Sequence, residues 1–203
     1  MTPQSSAPAT LRGDDYLMGL RSIEHSRSRS KPSLDTMWKL MDALGNPARR
    51  LRAVHVTGTN GKGSTAAICA ELLAASDLKV GLYTSPHLSR AYERIAVNGV
   101  AISDADLSSA LYRVRMAALR ASVQPTWFEA MTAAALLHFD RCRVAAAVIE
   151  VGMLGRWDAT NVIDAEVAVV TNIGWDSGSG TGIHRVREGR HRSRGVDAGL
   201  GGA

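Results

Sequence analysis

A chain of 203 residues is long enough for one good-sized domain and too short for two full enzyme domains at about 100–200 residues each. With 45% hydrophobic and 21% charged residues it has the composition of a globular domain, which excludes collagen, coiled coil and wholly disordered chains. No apolar run reaches the roughly 18 residues of a membrane helix, and the first thirty residues lack the apolar centre of a secretory signal. The net charge of +5, from 24 Lys+Arg against 19 Asp+Glu, suits a polyanionic small molecule as well as nucleic acid and alone decides nothing.

In chain order, residues 1–32 open with a Pro/Ser/Ala/Thr-rich stretch and are expected to be loose. Ser33 precedes an amphipathic helix from Leu34 that closes near Gly45-Asn46-Pro47. Ala53-Val54-His55-Val56 is a short strand that runs into glycines, and residues 66–75 are Ala/Leu-rich and helical. Residues 80–84 form a second strand. Asn98-Gly99 between two short apolar runs has the two-residue signature of a β-hairpin. Ser103 with Asp106 caps a helix to about residue 121, and Thr126-Trp127-Phe128-Glu129 is a capping box that opens another, to about residue 140. The apolar runs 144–149 and 167–170 have the form of strands buried on both faces. Strands alternating with helices predict an α/β domain with a mostly parallel sheet, over residues 33–175.

Past residue 175 this order stops. Residues 176–203 carry five Arg (Arg185, Arg187, Arg190, Arg192 and Arg194) and many Gly with almost no apolar periodicity, and are expected to be disordered. No aromatics interleave with these arginines for stacking on bases, so a nucleic-acid partner is not expected. Cys69 and Cys142 stand without CxxC spacing. They are expected to behave as small buried apolar residues in a reducing cytoplasm.

The strongest chemical signal is Gly58-Thr59-Asn60-Gly61-Lys62-Gly63-Ser64-Thr65, between a strand and a helix. Such glycines let successive N–H groups face one anion at a helix N-terminus, whose dipole also favours negative charge. Lys62 can reach outer phosphates, and a hydroxyl of Ser64 or Thr65 can serve phosphate or Mg²⁺. The pattern is neither the standard phosphate loop nor the dinucleotide fingerprint, and its bland alternative is a Gly-rich turn with an exposed Lys. Glu150 ends the apolar strand 144–149. A carboxylate there either holds Mg²⁺ beside a nucleotide, or pairs with Arg156 or caps a loop. In Tyr83-Thr84-Ser85-Pro86-His87, Ser85 offers a hydroxyl to metal or phosphate, and His87 either meets an anionic substrate or is structural. Glu129 is also explained as the third residue of its capping box, and Asp158 either orients substrate or fixes a loop.

Taken together, VTGTNGKGST (56–65), YTSPHL (83–88), ERIAVNG (93–99), TWFEAMTAAA (126–135), EVGMLGRWDATN (150–161) and VAVVTNIGWD (167–176) resemble the Mur ligase superfamily. Within it they resemble the bifunctional dihydrofolate synthase/folylpolyglutamate synthase family. The resemblance implies a P-loop-type ATPase domain, followed in that family by a Rossmann-like domain. It also implies ATP-dependent amide formation, in which a pterin carboxylate takes the γ-phosphoryl group and L-glutamate displaces phosphate from the acyl phosphate. Dihydropteroate or a folate is the implied acceptor, and ATP and Mg²⁺ the implied cofactors. By position, Gly58, Thr59, Asn60, Gly61, Lys62, Gly63 and Ser64 would cradle ATP. Ser85 and Glu150 would hold Mg²⁺, with Lys62 and Glu150 catalytic. Ser33, Thr84, His87, Thr126, Trp127, Phe128, Glu129, Trp157, Asp158 and Ala159 would line the substrate side.

Two departures stand out. Leu154 occupies a position where a glycine of a Gly-Gly pair is expected, and Ser177 follows Asp176 where the family continues with His, a second metal ligand. This break inside a motif is read as a frameshift in a GC-rich coding sequence in preference to a genuine basic tail. The chain is then expected to lack the Rossmann-like domain and to act, as a monomer, weakly or not at all. The alternative function is a nucleotide-binding module without ligase activity.

Overall fold

The structure, a computed structural model, describes residues 13–20, 33–153 and 157–173. Leu154, Arg156 and the Gly/Arg-rich stretch from 176 onward lie outside the described residues, as do 1–12 and 21–32.

Six strands form one sheet: β1 (Ala53–Thr57), β2 (Val80–Tyr83), β3 (Ile95–Val97), β4 (Val100–Ala101), β5 (Ala146–Glu150) and β6 (Val167–Val170). Their order is β4-β3-β2-β5-β1-β6. The four strands β2, β5, β1 and β6 run parallel, and the β3–β4 hairpin adds an antiparallel edge. Asn98 and Gly99 both take positive φ (48° and 74°), as a two-residue hairpin turn requires.

Strand alternation divides the core into two layers. Ala147 and Ile149 of β5 face the larger cluster, and Val148 faces a smaller one with Val56, Ala66 and Ala70. Helix α3 (Lys62–Ala74) covers that second face. The first face is covered by α2 (Asp35–Ala43), α4 (Asp104–Ala121) and α5 (Trp127–Cys142). Helix α5 is the spine of this layer: residues 130–139 are all buried. Its run of alanines lets the helix approach the sheet closely, and the Phe139 ring fills the space where a Cβ on Gly81 would stand, 2.7 Å from its Cδ1.

The expected elements are present, with differences at their ends. Helix α3 begins at Lys62, inside the glycine motif and four residues before the Ala/Leu-rich run. Ser33 Oγ accepts the Asp35 N–H (3.0 Å), and the cap position itself falls on Leu34. Thr126 Oγ1 accepts the Glu129 N–H (3.2 Å) while Glu129 Oε2 accepts the Thr126 N–H (2.7 Å), which completes the capping box. Thr126→Ala removes one arm of that box and is expected to cost about 1 kcal/mol, read as a melting temperature lower by about 2–4 °C in thermal denaturation.

Three expectations are corrected. Helix α1 (Gly13–Met18) lies inside the stretch that composition marks as loose. It packs against α4 with Leu17 buried, because a single apolar turn has a partner surface there. Strand β6 is not buried on both faces: Val167 is 50% and Val170 37% exposed, since β6 is the edge of the described sheet. Cys69 and Cys142 are free thiols of intermediate exposure, not fully buried, and Cys142 Sγ lies 3.6 Å from His138 Nε2. Among the described residues no helix is long and apolar enough to cross a membrane.

Candidate functional site

In a parallel sheet the strands end level, so the residues that follow them share one rim. The register pairs Val56 with Glu150, Tyr83 with Ile149 and Thr57 with Val170. Gly58, Thr84, Val151 and Thr171 therefore leave the sheet side by side. The connection after β1 crosses on the α3 face and the one entering β5 crosses on the opposite face. A crevice at the β1/β5 boundary is where such sheets bind ligands.

The first wall of the crevice is the loop 58–61. Gly58 has φ +139° and Gly61 φ +79°, backbone conformations that L side chains rarely adopt. Residues after β6 clasp this loop from behind. Asn172 O accepts the Thr59 N–H (3.1 Å) and Asn172 Oδ1 the Asn60 N–H (3.0 Å), while Thr171 Oγ1 donates to Asn60 O (2.6 Å). Lys62 Nζ donates to Thr59 O (3.2 Å), which places the ammonium over the loop at the start of α3. Three N–H groups of a helix's first turn lack intrahelical partners, so loop, ammonium and helix end together present a site for anions.

Glu150 faces this site from β5. A Cβ built on Gly63 would stand 3.4 Å from Glu150 Oε2, so the absence of a side chain at 63 leaves the carboxylate open to the helix start. Glu150 is 3% exposed, and its Oε2 accepts the Ser85 N–H (2.8 Å). Burial pushes its pKa above the ordinary carboxylate value; the Ser85 amide and the charges of Lys62 and Arg94 oppose that rise. Lys62, Gly63, Ser85 and Glu150 are thus brought together.

The 85–90 loop is held by two residues that sequence reasoning passed over. Glu93 accepts the N–H groups of Leu88 (2.8 Å), Ser89 (3.2 Å) and Arg90 (2.9 Å). These amides hold its carboxyl below the ordinary range. Arg94 is buried, donates from Nε to His87 Nδ1 (2.9 Å) and stacks its guanidinium 4.4 Å over the Trp127 ring. A neutral His87 therefore carries its proton on Nε2. Both residues lie in the quoted ERIAVNG segment, but only their fold-dependent partners mark them as parts of a site.

On the same rim, Phe128 packs against Gly152 and lies 6.1 Å from the Tyr83 ring. The His87 and Trp127 rings are 5.9 Å apart. Asp158 is buried and accepts from Met153 N, Thr160 N and Thr160 Oγ1. Ala159 is buried behind it, and Trp157 is 45% exposed. Glu129 has an oxygen committed to the capping box, and Ser33 serves the start of α2. Neither is shown joining the crevice by a contact among the described residues.

The profile of the Mur ligase middle domain matches residues 56–177, which spans the loop, Ser85, Glu150 and Asn172. A dihydrofolate synthase/folylpolyglutamate synthase of Bacillus subtilis is 42% identical over 77% of this chain. The Mycobacterium tuberculosis folylpolyglutamate synthase solved with ADP is 39% identical and superposes with a TM-score of 0.73 over 82% of this chain. A solved FPGS–AMPPCP–folate complex gives 41% identity and the same TM-score of 0.73. The chain spans 38% of the length of the Bacillus relative and 37% and 41% of the two solved chains. With the profile covering more than half its residues and that fold shared at such identity, the chain belongs to the Mur ligase family, alongside its dihydrofolate synthase/folylpolyglutamate synthase members.

Proposed function

We propose that this chain carries the nucleotide half of an ATP-dependent ligase that joins L-glutamate to dihydropteroate or a folate through an acyl phosphate. The observation that supports it most is the meeting of the 58–61 loop, Lys62 and the buried Glu150 at the start of α3. ATP phosphates would lie against the N–H groups of residues 61–63, at the start of α3. The ADP and AMPPCP complexes of similar proteins support that reading.

The donor set fits Mg²⁺. Glu150 and Ser85 offer hard oxygen ligands, and Mg²⁺ ordinarily uses one or two carboxylates together with substrate phosphates and water. When bound, the ion would offset charge on the transferring phosphoryl group. Lys62 supplies a second positive charge there, worth most in a site shielded from water. Arg94 and Trp127 fix His87, and with Phe128, Trp157 and Asp158 they form the side on which the acceptor would lie. The free thiols fit a reducing, cytoplasmic setting.

Phosphate release from ATP–Mg²⁺ by the purified chain, with and without dihydropteroate and L-glutamate, tests the reading. Binding of ATP–Mg²⁺ with weak release that depends on both substrates is expected, and Lys62→Ala should lower that release by about 100-fold or more. Binding of ATP with no response to either substrate would point instead to a nucleotide-binding module without ligase activity.

A further inference from the structure

Buried beneath the rim, a chain of short hydrogen bonds joins β1 to the loop that carries Asp158. Thr160, fully buried, donates its hydroxyl proton to Asp158 Oδ1 (2.6 Å). The same oxygen of Thr160 lies 2.7 Å from His55 Nε2. A hydroxyl has one proton. With that proton given to the carboxylate, Thr160 accepts from the imidazole, so His55 carries hydrogen on Nε2. Burial, opposed only by the charge of Asp158, holds the His55 pKa below its ordinary value, in keeping with a neutral ring. The order of donation is therefore His55 to Thr160 to Asp158.

The far end of this chain does mechanical work. Asp158 Oδ1 takes the Thr160 N–H (3.0 Å) and Oδ2 takes the Met153 N–H (3.0 Å), so one carboxylate ties Met153, just past β5, to Thr160. The near end sits on β1, three residues before Gly58 opens the phosphate loop.

We propose that His55, acting through Thr160, is a positioning residue for Asp158 and holds the Asp158–Thr160 segment to the strand that carries the phosphate loop. This rests on the acceptor reading of Asp158 given above. Neither His55 nor Thr160 need touch a ligand. Their effect is to hold both Asp158 oxygens in one orientation.

The experiment uses the purified 203-residue chain and four variants: Thr160→Val, Thr160→Ser, His55→Leu and His55→Gln, whose amide can donate where Nε2 does. Dihydropteroate and ATP–Mg²⁺ are titrated separately against tryptophan fluorescence. Thr160→Val and His55→Leu are expected to weaken dihydropteroate binding by about 10- to 100-fold, with Thr160→Ser, His55→Gln and all ATP–Mg²⁺ affinities within about threefold of the parent. Nitrogen NMR of the parent should find the His55 proton on Nε2. A proton on Nδ1 overturns the proposal, as does Ser failing as badly as Val or Gln as badly as Leu. If the parent binds no dihydropteroate, the acceptor reading fails, and hydrogen exchange at the Met153 amide decides the positioning claim alone. Faster exchange in Thr160→Val but not in Thr160→Ser upholds it; equal exchange in both overturns it.

Discussion

Replacing Glu150 with Gln is expected to raise the melting temperature of the ligand-free chain at pH 7.5 while removing the contribution of Mg²⁺ to ATP binding. The carboxylate is 3% exposed, and burial raises its pKa despite the Ser85 amide and the positive charges of Lys62 and Arg94. The native state therefore binds this proton more tightly than the unfolded chain, whose glutamates titrate near 4.5. Stability is greatest below that value, falls as pH rises towards the folded pKa, and stays reduced above it. A neutral amide of the same shape escapes the penalty and can still accept the Ser85 N–H. The gap between variant and parent should thus be small at pH 4 and widen by pH 7.5, in thermal denaturation at the two pH values. ATP titrations with and without Mg²⁺ should lose their difference in the variant, a loss of about 100-fold where the metal contributes several kcal/mol. A variant less stable than the parent at pH 7.5 would mean that Glu150 serves the fold and is not held under strain for a ligand.

The parts of this site that sequence makes legible are those written in local pattern. The loop 58–65 declares itself through glycine spacing, α5 through the Thr126/Glu129 box, and the hairpin through Asn98-Gly99. Each depends on residues within a few positions of one another. Glu150 is legible for a related reason, since a carboxylate ending an apolar strand breaks its composition. Arg94 and His55 are different. Arg94 acquires meaning from Trp127 and Glu150, and His55 from Thr160, 105 residues away. Strand order alone brings those pairs together, and periodicity carries no information about strand order. The same limit explains β6. Four consecutive apolar residues show that it is a strand, but only its place beside β1 shows that it is an edge with Val167 and Val170 in solvent.

Gly58→Ala should be the most damaging single-methyl change in the phosphate loop, and the reason is separable from backbone strain. At φ +139° an alanine is strained by about 1–3 kcal/mol wherever it sits. Its Cβ would also be driven onto Thr171 Oγ1 and within 3.0 Å of Asn172 O. These are the groups that hold Asn60 and Thr59. To make room, the 171–172 segment must move and release those bonds, each worth about 1 kcal/mol. A total of about 3–5 kcal/mol predicts a melting temperature lower by roughly 6–20 °C, with ATP–Mg²⁺ binding lost alongside. Gly61→Ala is the control. Its φ of +79° is strained as well, but a Cβ there meets nothing within 4 Å, so it should cost the conformational part alone, about 1–2 kcal/mol. Thr171→Ala alone should destabilise by removing the bond to Asn60 O, yet added to Gly58→Ala it removes the atom that the new methyl strikes. The double variant should therefore melt no lower than Gly58→Ala, a non-additivity that a thermal double-mutant cycle reads directly. Simple additivity would show that the clasp between β6 and the phosphate loop is not what requires glycine at 58.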